Sequence, residues 1–161
     1  MTTGFAVMRL QPFHNGHKKI IDKMLQNHKK AIIVIGSIGI KDDKNPFSFE
    51  DRKKMIQLVY PNETSTGQLL IIGAKDIHNP PKWATYIQSL LPCKANCYYC
   101  GTGQDAQLFE AIGLKVNQTN REELNISGTS VRRKLKQNDF WQNDIPQQLH
   151  KFIQLKQGGI K

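Results

Sequence analysis

Cysteine is scarce in this 161-residue chain, which has only Cys93, Cys97 and Cys100. An odd set of three thiols rules against a disulfide-stapled scaffold and suits reduced cysteines in a cytoplasm. Long hydrophobic runs are missing too. The longest, Ala31 to Ile35, is a strand's worth of residues and far short of the roughly 18 needed to span a membrane. Thr2 and Thr3 stand where a signal peptide would carry its basic start, so no export leader is expected. Acidic residues are few: 13 against 23 lysines and arginines, leaving a net charge of +10. That excess favours anionic partners, whether nucleic acid, phosphate-rich metabolites or acidic surfaces, without choosing among them. What is present is the apolar and charged balance of a globular domain, long enough to bury a core without a metal or disulfide. The length favours a single domain over residues 1–161.

The apolar pattern alternates between short β-branched runs and amphipathic stretches. Phe5–Met8, Ala31–Ile35, Leu69–Ile72, Asn96–Tyr99 and Leu114–Gln118 read as strands. His17–Asn27, Phe49–Val59, Trp83–Leu91, Ala106–Ile112, Thr129–Gln137 and Ile145–Gln157 read as helices. Ser48 is placed to cap the second of these, with Asp51 as its reciprocal partner. Pro80 and Pro81 fall in the loop before the third. Strand–helix alternation at this spacing predicts an α/β fold, a parallel sheet of five or six strands with helices on both faces. Ligands of such folds lie beyond the carboxyl ends of the strands. The segments after each strand are therefore the places to look for chemistry.

After the first strand runs Arg9-Leu-Gln-Pro-Phe-His14-Asn-Gly16-His17, leading into a helix. Imidazoles beside a glycine at a helix start suit an anion, since the helix N-terminus offers N–H groups and a positive dipole end. Gly16 leaves room for a phosphate near the backbone, and Arg9 adds a forked cation. The plainer alternative is two surface histidines beside a turn. A second cluster, Asn125-Ile-Ser127-Gly128-Thr129-Ser-Val-Arg132-Arg133, puts hydroxyls, a glycine and an arginine at another helix start. Taken alone it reads equally as a capping serine followed by solvated arginines. Cys93, Cys97 and Cys100 offer three thiolates and only His78 as a loose fourth ligand. Cys97 and Cys100 would also face opposite sides of a strand, so no metal site is expected there. The paired lysines 18–19, 29–30 and 53–54 are dispersed and lack interleaved aromatics, which disfavours a nucleic-acid-binding module.

Together the two clusters resemble the nucleotidyltransferase superfamily marked by an HxGH motif and a late ISGTxxR-type motif. Further segments are similar to the archaeal-type nicotinamide mononucleotide (NMN) adenylyltransferases, which also occur fused to Nudix domains in bacteria. These are Gly36-Ser37, Asn45-Pro-Phe47 through Arg52, Asp76-Ile-His with Trp83, Gly101-Thr-Gly103, and Trp141 with Ile145-Pro146. The resemblance runs from Gly4 to about Ile153 and implies a Rossmann-like fold, with no Nudix domain in this chain. It departs from the pattern in two places. The loop from Ile38 to Lys44 has no arginine before the Asn-Pro-Phe segment, only Lys41 and Lys44, and Pro80-Pro81 stand where an asparagine is common, with Asn79 adjacent.

The resemblance implies transfer of AMP from ATP to NMN, giving NAD and pyrophosphate, in NAD biosynthesis or salvage. It implies catalytic roles for His14, His17 and Arg132. ATP would be bound by Met8, Arg9, Gln11, His14, Gly16, His17, Gly101, Gly103, Ser127, Gly128, Thr129 and Arg132. NMN would be bound by Asn45, Asp76, Asn79 and Trp83, with the ring stacked on the Trp83 indole. Trp83 also reads as a half-buried helix residue and Asp76 as a loop cap. Mg²⁺ would enter on the ATP phosphates. A cytoplasmic enzyme with small-molecule partners, no nucleic-acid or membrane partner, and homo-oligomers as in relatives completes the expectation. The nearest alternative is another adenylyl- or cytidylyltransferase acting on a different phosphorylated acceptor.

Overall fold

The computed structural model describes residues 2–101, 103–119 and 125–160. In chain order the elements are β1 (Thr3–Met8), α1 (Asn15–Asn27), β2 (Lys30–Ile35), α2 (Phe49–Val59), α3 (Pro61–Ser65) and β3 (Leu69–Gly73). There follow α4 (Pro80–Leu90), β4 (Cys97–Cys100), α5 (Ala106–Ala111), β5 (Lys115–Gln118), α6 (Gly128–Gln137) and α7 (His150–Gln157). The five strands lie in the order β3-β2-β1-β4-β5, all parallel. This is the doubly wound, Rossmann-like arrangement. The chain works outward from β1 to β3, crosses back, and adds β4 on the other side of β1. The β1–β4 junction is thus the topological switch point where such sheets open a crevice.

β2 shows why the sheet forms. Ala31 through Ile35 are fully buried on both faces, as expected of a parallel strand covered by helices on either side. Ala31, Ile33 and Ile35 pack with Ile20, Ile21 and Met24 of α1 and with Met55 and Ile56 of α2. Ile32 and Val34 face the other way, against Ala84 and Ile87 of α4 and Phe109 of α5. Each such aliphatic side chain contributes roughly 1.5–3 kcal/mol of transfer free energy. Cys97 and Cys100 divide between these same two cores, and all three cysteines are unpaired thiols. Among the described residues no helix is long and apolar enough to cross a membrane.

Several element boundaries differ from the sequence reading. Pro80 and Pro81 open α4 instead of preceding it, because proline's fixed φ and missing N–H suit the first helical turn. α1 begins at Asn15, two residues earlier than expected, which makes His14 its N-cap. The closing segment is not one helix from Ile145. Pro146 leads a 3₁₀ turn at Gln147–Leu149 before α7 begins. Pro61–Ser65 forms a one-turn helix, and the sequence reading had none there. The Ser48–Asp51 capping box of α2 forms as expected.

At the amino end of the sheet, Gly4 leaves little room for a side chain. A Cβ there would sit 2.7 Å from His28 Cδ2 and 3.2 Å from the Tyr99 ring. Gly4→Ala is therefore expected to cost about 1–3 kcal/mol of stability by overpacking, readable by urea denaturation. An unchanged midpoint would refute the tight contact. His28 Nε2 pairs with the Tyr99 hydroxyl at 3.0 Å, while its buried Nδ1 has no hydrogen-bond partner among the described residues. Burial, then the nearby charge of Lys115, hold its pKa below the ordinary value of 6.5. Between the lowered folded value and 6.5 the unfolded chain binds more protons. Stability should thus fall as pH drops below that ordinary value, and the slope should flatten in His28→Asn. An unchanged slope in that variant would remove His28 as its source.

Candidate active site

The β1–α1 connection is built around two histidines. His14 caps α1, its Nδ1 accepting the Gly16 N–H at 3.1 Å. His17, three residues on, returns the bond: its Nδ1 accepts the His14 N–H at 3.2 Å. This is a capping box made of imidazoles in place of serine and glutamate. The rings stack with centroids 3.7 Å apart, and both are buried. With Nδ1 accepting, the proton of each neutral ring belongs on Nε2, so each ring presents Nε2–H as its donor. Gly16 is small because of the imidazole: a Cβ there would sit 2.9 Å from His14 Cε1.

A second helix start is tied to the same loop. Ser127 and Ser130 form the capping box of α6. Arg132 donates Nη1–H to the Gln11 carbonyl at 2.8 Å and Nη2–H to the Thr129 hydroxyl at 3.3 Å. Gly128 gives the guanidinium room, since a Cβ there would sit 2.9 Å from its Nη1. The Gln11 side-chain amide is bonded within the protein. It spans to the Phe47 backbone, donating to the carbonyl and accepting from the N–H, both at 2.9 Å. In this way the loop after β2 is locked onto the loop after β1.

Arg9 donates to Asn45 Oδ1 at 2.6 Å, and Asn45 in turn donates its side-chain amide to Asp42 at 2.8 Å. That hydrogen bond is the main cause holding the Asp42 carboxyl below its usual range. Asn45 is thus committed to steering Arg9 and is not on the cavity wall described below. Beneath Arg9 lies Arg52, which is fully buried. Its guanidinium donates to the carbonyls of Arg9 at 2.9 Å, Gly36 at 2.7 Å and Ser48 at 3.2 Å. No carboxylate among the described residues pairs with it. Burial, then repulsion from Arg9, pull the pKa values of both Arg52 and Arg132 below the ordinary value. Three arginines therefore converge on one corner, and they repel one another.

Next to this corner opens a cavity of about 370 Å³ at the carboxyl ends of β1, β2 and β3. Met8, Arg9 and Ser37 border it on the β1–β2 side, and Asp76, Asn79 and Trp83 on the β3–α4 side. Asp76 accepts the Ser37 hydroxyl at 2.9 and 3.0 Å from its two oxygens. Trp83 both lines the cavity and packs against the core, its ring 5.9 Å from that of Tyr86. Leu10, Ser37, His78 and Asn125 all adopt positive φ in the loops around the strand ends. Such left-handed conformations in residues with side chains are costly and gather at functional sites. Gly101 and Gly103 lie beyond β4 and do not line the cavity; Thr102 between them lies outside the described residues. The β4 side of the wall is supplied instead by Asp105 and Leu108.

The model of the cytidylyltransferase-like family matches residues 9–134. The chain belongs to the cytidylyltransferase-like family. The match begins at Arg9 and takes in both helix starts through Arg132. Within the family, the nicotinamide-nucleotide adenylyltransferase of Picrophilus torridus is 31% identical over 153 residues, covering 92% of this chain and 88% of that protein. That of Thermococcus sibiricus is 30% identical over 154 residues, covering 93% and 82%. A bifunctional NMN adenylyltransferase/ADP ribose pyrophosphatase from Francisella tularensis, crystallised with AMP and a manganese ion, superposes with a TM-score of 0.77 at 24% identity. It shares the fold over 99% of this chain, which spans about half, 52%, of its length.

Sequence reasoning missed Arg52 as part of the site and passed over Asp105. A charged residue on an amphipathic helix ordinarily reads as solvated, so burial of Arg52 had no local signal. For this family member, the arginine corner is expected to act as a polyphosphate receptor. Inorganic tripolyphosphate at low salt should raise Tm by about 5 °C or more, and added salt should shrink the shift. Arg132→Met should at least halve it. A Tm that tripolyphosphate leaves unmoved would remove that reading.

Proposed function

We propose that the chain transfers the adenylyl group of ATP to NMN, forming NAD and pyrophosphate. The observation that carries this reading is the asymmetry of the site. A corner of arginine and histidine donors adjoins a cavity walled by an indole and a carboxylate. A nucleoside triphosphate suits the first. A mononucleotide with a cationic ring suits the second. The curated relatives named nicotinamide-nucleotide adenylyltransferase support the same acceptor.

In this reaction an oxygen of the NMN phosphate attacks the α-phosphorus of ATP, and the bond to pyrophosphate breaks. The attacking group is already an anion, so the protein supplies position and charge stabilisation and no nucleophile. His14 and His17 offer their Nε2–H groups to the α-phosphate. Arg132, the Thr129 hydroxyl and the start of α6 with Ser127 and Gly128 hold the β- and γ-phosphates. Arg9, steered by Asn45, reaches the reacting phosphates. Gln11 acts as a positioning residue, fixing the two loops. Met8, Gly101 and Gly103 border the adenosine. Trp83 stacks against the pyridinium ring, with Asp76 and Asn79 at its edge.

The Francisella structure contains a divalent cation, and a divalent cation is part of this reading as well. Among the described residues no group of three or more His, Cys, Asp or Glu side chains is arranged to hold a metal. In this reading Mg²⁺ enters as MgATP, held by phosphate oxygens and water. Bound there, it would neutralise charge on the leaving pyrophosphate.

Pyrophosphate release from MgATP should require NMN and should yield NAD. Release with a phosphopantetheine-type acceptor and none with NMN would overturn the assignment. His17→Ala is expected to lower kcat roughly 10²-fold, as for the loss of one oriented donor, with NMN KM little changed. Equal losses in kcat and NMN affinity would count against a transition-state role. Trp83→Ala should raise NMN KM about tenfold and leave ATP KM near its original value. An unaltered NMN KM would end the stacking assignment.

A further inference from the structure

Helix α5 opens with Asp105 in the N-cap position, where an aspartate ordinarily accepts a first-turn N–H. Here it does not. Its backbone is already helical, at φ −95° and ψ −9°, and it makes no side-chain cap bond. Asp105 lines the cavity instead, on the β4 side, while Asp76 borders it from the β3 side and Trp83 from α4. The Ser37 hydroxyl is committed to Asp76. Asp105 has neither a hydrogen bond nor an ion pair through its side chain among the described residues, and burial pushes its carboxyl pKa upward. A half-buried carboxylate that neither caps nor pairs has no evident structural use.

The charges on this wall are unevenly placed. Arg9 is the one guanidinium among the described lining residues, and it is held toward Asn45 at the phosphate corner. His78 comes from the same loop as Asp76. The acceptor end thus carries two carboxylates around one indole. A pyridinium ring with a neutral carboxamide suits that end: the ring is cationic, and the amide N–H₂ can donate to a carboxylate. Replacing the amide by a ring carboxylate puts a third negative charge among the other two and removes the donor.

Resting on the NMN reading above, we propose that Asp105 is a specificity-determining residue that selects the amide mononucleotide over its acid analogue, nicotinic acid mononucleotide. It does so by like-charge repulsion of the ring carboxylate, so the effect requires its charge and not its shape.

The test compares kcat/KM for NMN and nicotinic acid mononucleotide at pH 8 in wild type, Asp105→Asn and Asp105→Glu, with Tm measured for each. Wild type is expected to favour NMN by tenfold or more. Asp105→Asn should raise kcat/KM for the acid about tenfold while lowering that for NMN two- to fivefold. Asp105→Glu should keep the wild-type preference. Opposite movement of two substrates at unchanged Tm is not a signature of a merely structural residue. A preference unchanged in Asp105→Asn, or both substrates falling together, would overturn the proposal while leaving adenylyl transfer intact. Failure of wild type to use either mononucleotide would instead sink the reading on which it rests.

Discussion

Arg52 holds the site in place from below. One buried guanidinium ties the end of β1 through the Arg9 carbonyl, the end of β2 through Gly36, and the entry to α2 through Ser48. Burying a cation costs several kcal/mol even after relaxation, and an oppositely charged partner is the usual compensation. Here the compensation is a set of carbonyl dipoles, which satisfy the N–H groups without cancelling the charge. The positive charge therefore persists at the strand ends, and burial first, then repulsion from Arg9, lower the Arg52 pKa. An arginine corner of this kind is internally strained electrostatically. A polyanion bound there would relieve that strain, and part of its binding energy would come from repulsion already present in the free protein.

The hydrogen-bond pattern around that corner sorts acceptors from donors. At the α1 start, the imidazole acceptor atoms of His14 and His17 are used inside the capping box. At the α6 start the Ser127 and Ser130 hydroxyls are used in the same way. The groups around that corner that are not acceptors in these caps are N–H donors: the Nε2–H side of each neutral imidazole, the guanidinium groups and the N–H groups of the helix starts. The histidines are thus neither surface side chains beside a turn nor free of a structural task, since both are buried and bonded in the cap. Capping through Nδ1 is what makes the other ring nitrogen a donor and fixes the direction of the ring.

Much of the fold was legible because it rests on local pattern. The run Ala31–Ile35 announces a strand buried on both faces, and Ser48 with Asp51 announces a helix start. The histidine and Ser-Gly-Thr clusters were legible because glycine and capping residues at helix starts carry a local signature. What failed was long-range. Nothing near Gln11 says that its amide will be spent on Phe47, 36 residues away. Nothing near Asn45 says that its side-chain oxygen will accept from Arg9, 36 residues away. Asp105 sits where an aspartate normally caps, so its turn toward the cavity depends on a backbone angle that the sequence does not display.

The net charge of +10 proves a poor guide to function, and the reason is chemical. Several lysines are occupied on the surface: Lys18 with Asp22, Lys134 with Asp144, Lys156 with Asp51. Pairs near the surface of that sort contribute little to stability and are partly screened by salt. The arginines behave differently. Three of the five in the chain, Arg9, Arg52 and Arg132, meet at the strand ends, each held by carbonyl, amide or hydroxyl oxygens. Guanidinium suits this task because its planar fork can bond fixed oxygens on one edge and keep N–H groups on another. An ammonium offers no such division. These three of the 23 cations gather at the strand ends, and the carboxylates of Asp76 and Asp105 across the cavity give that local charge a direction. A ligand with a phosphate at one end and a cation at the other can satisfy both ends at once, whereas a uniform polyanion satisfies only the arginine corner.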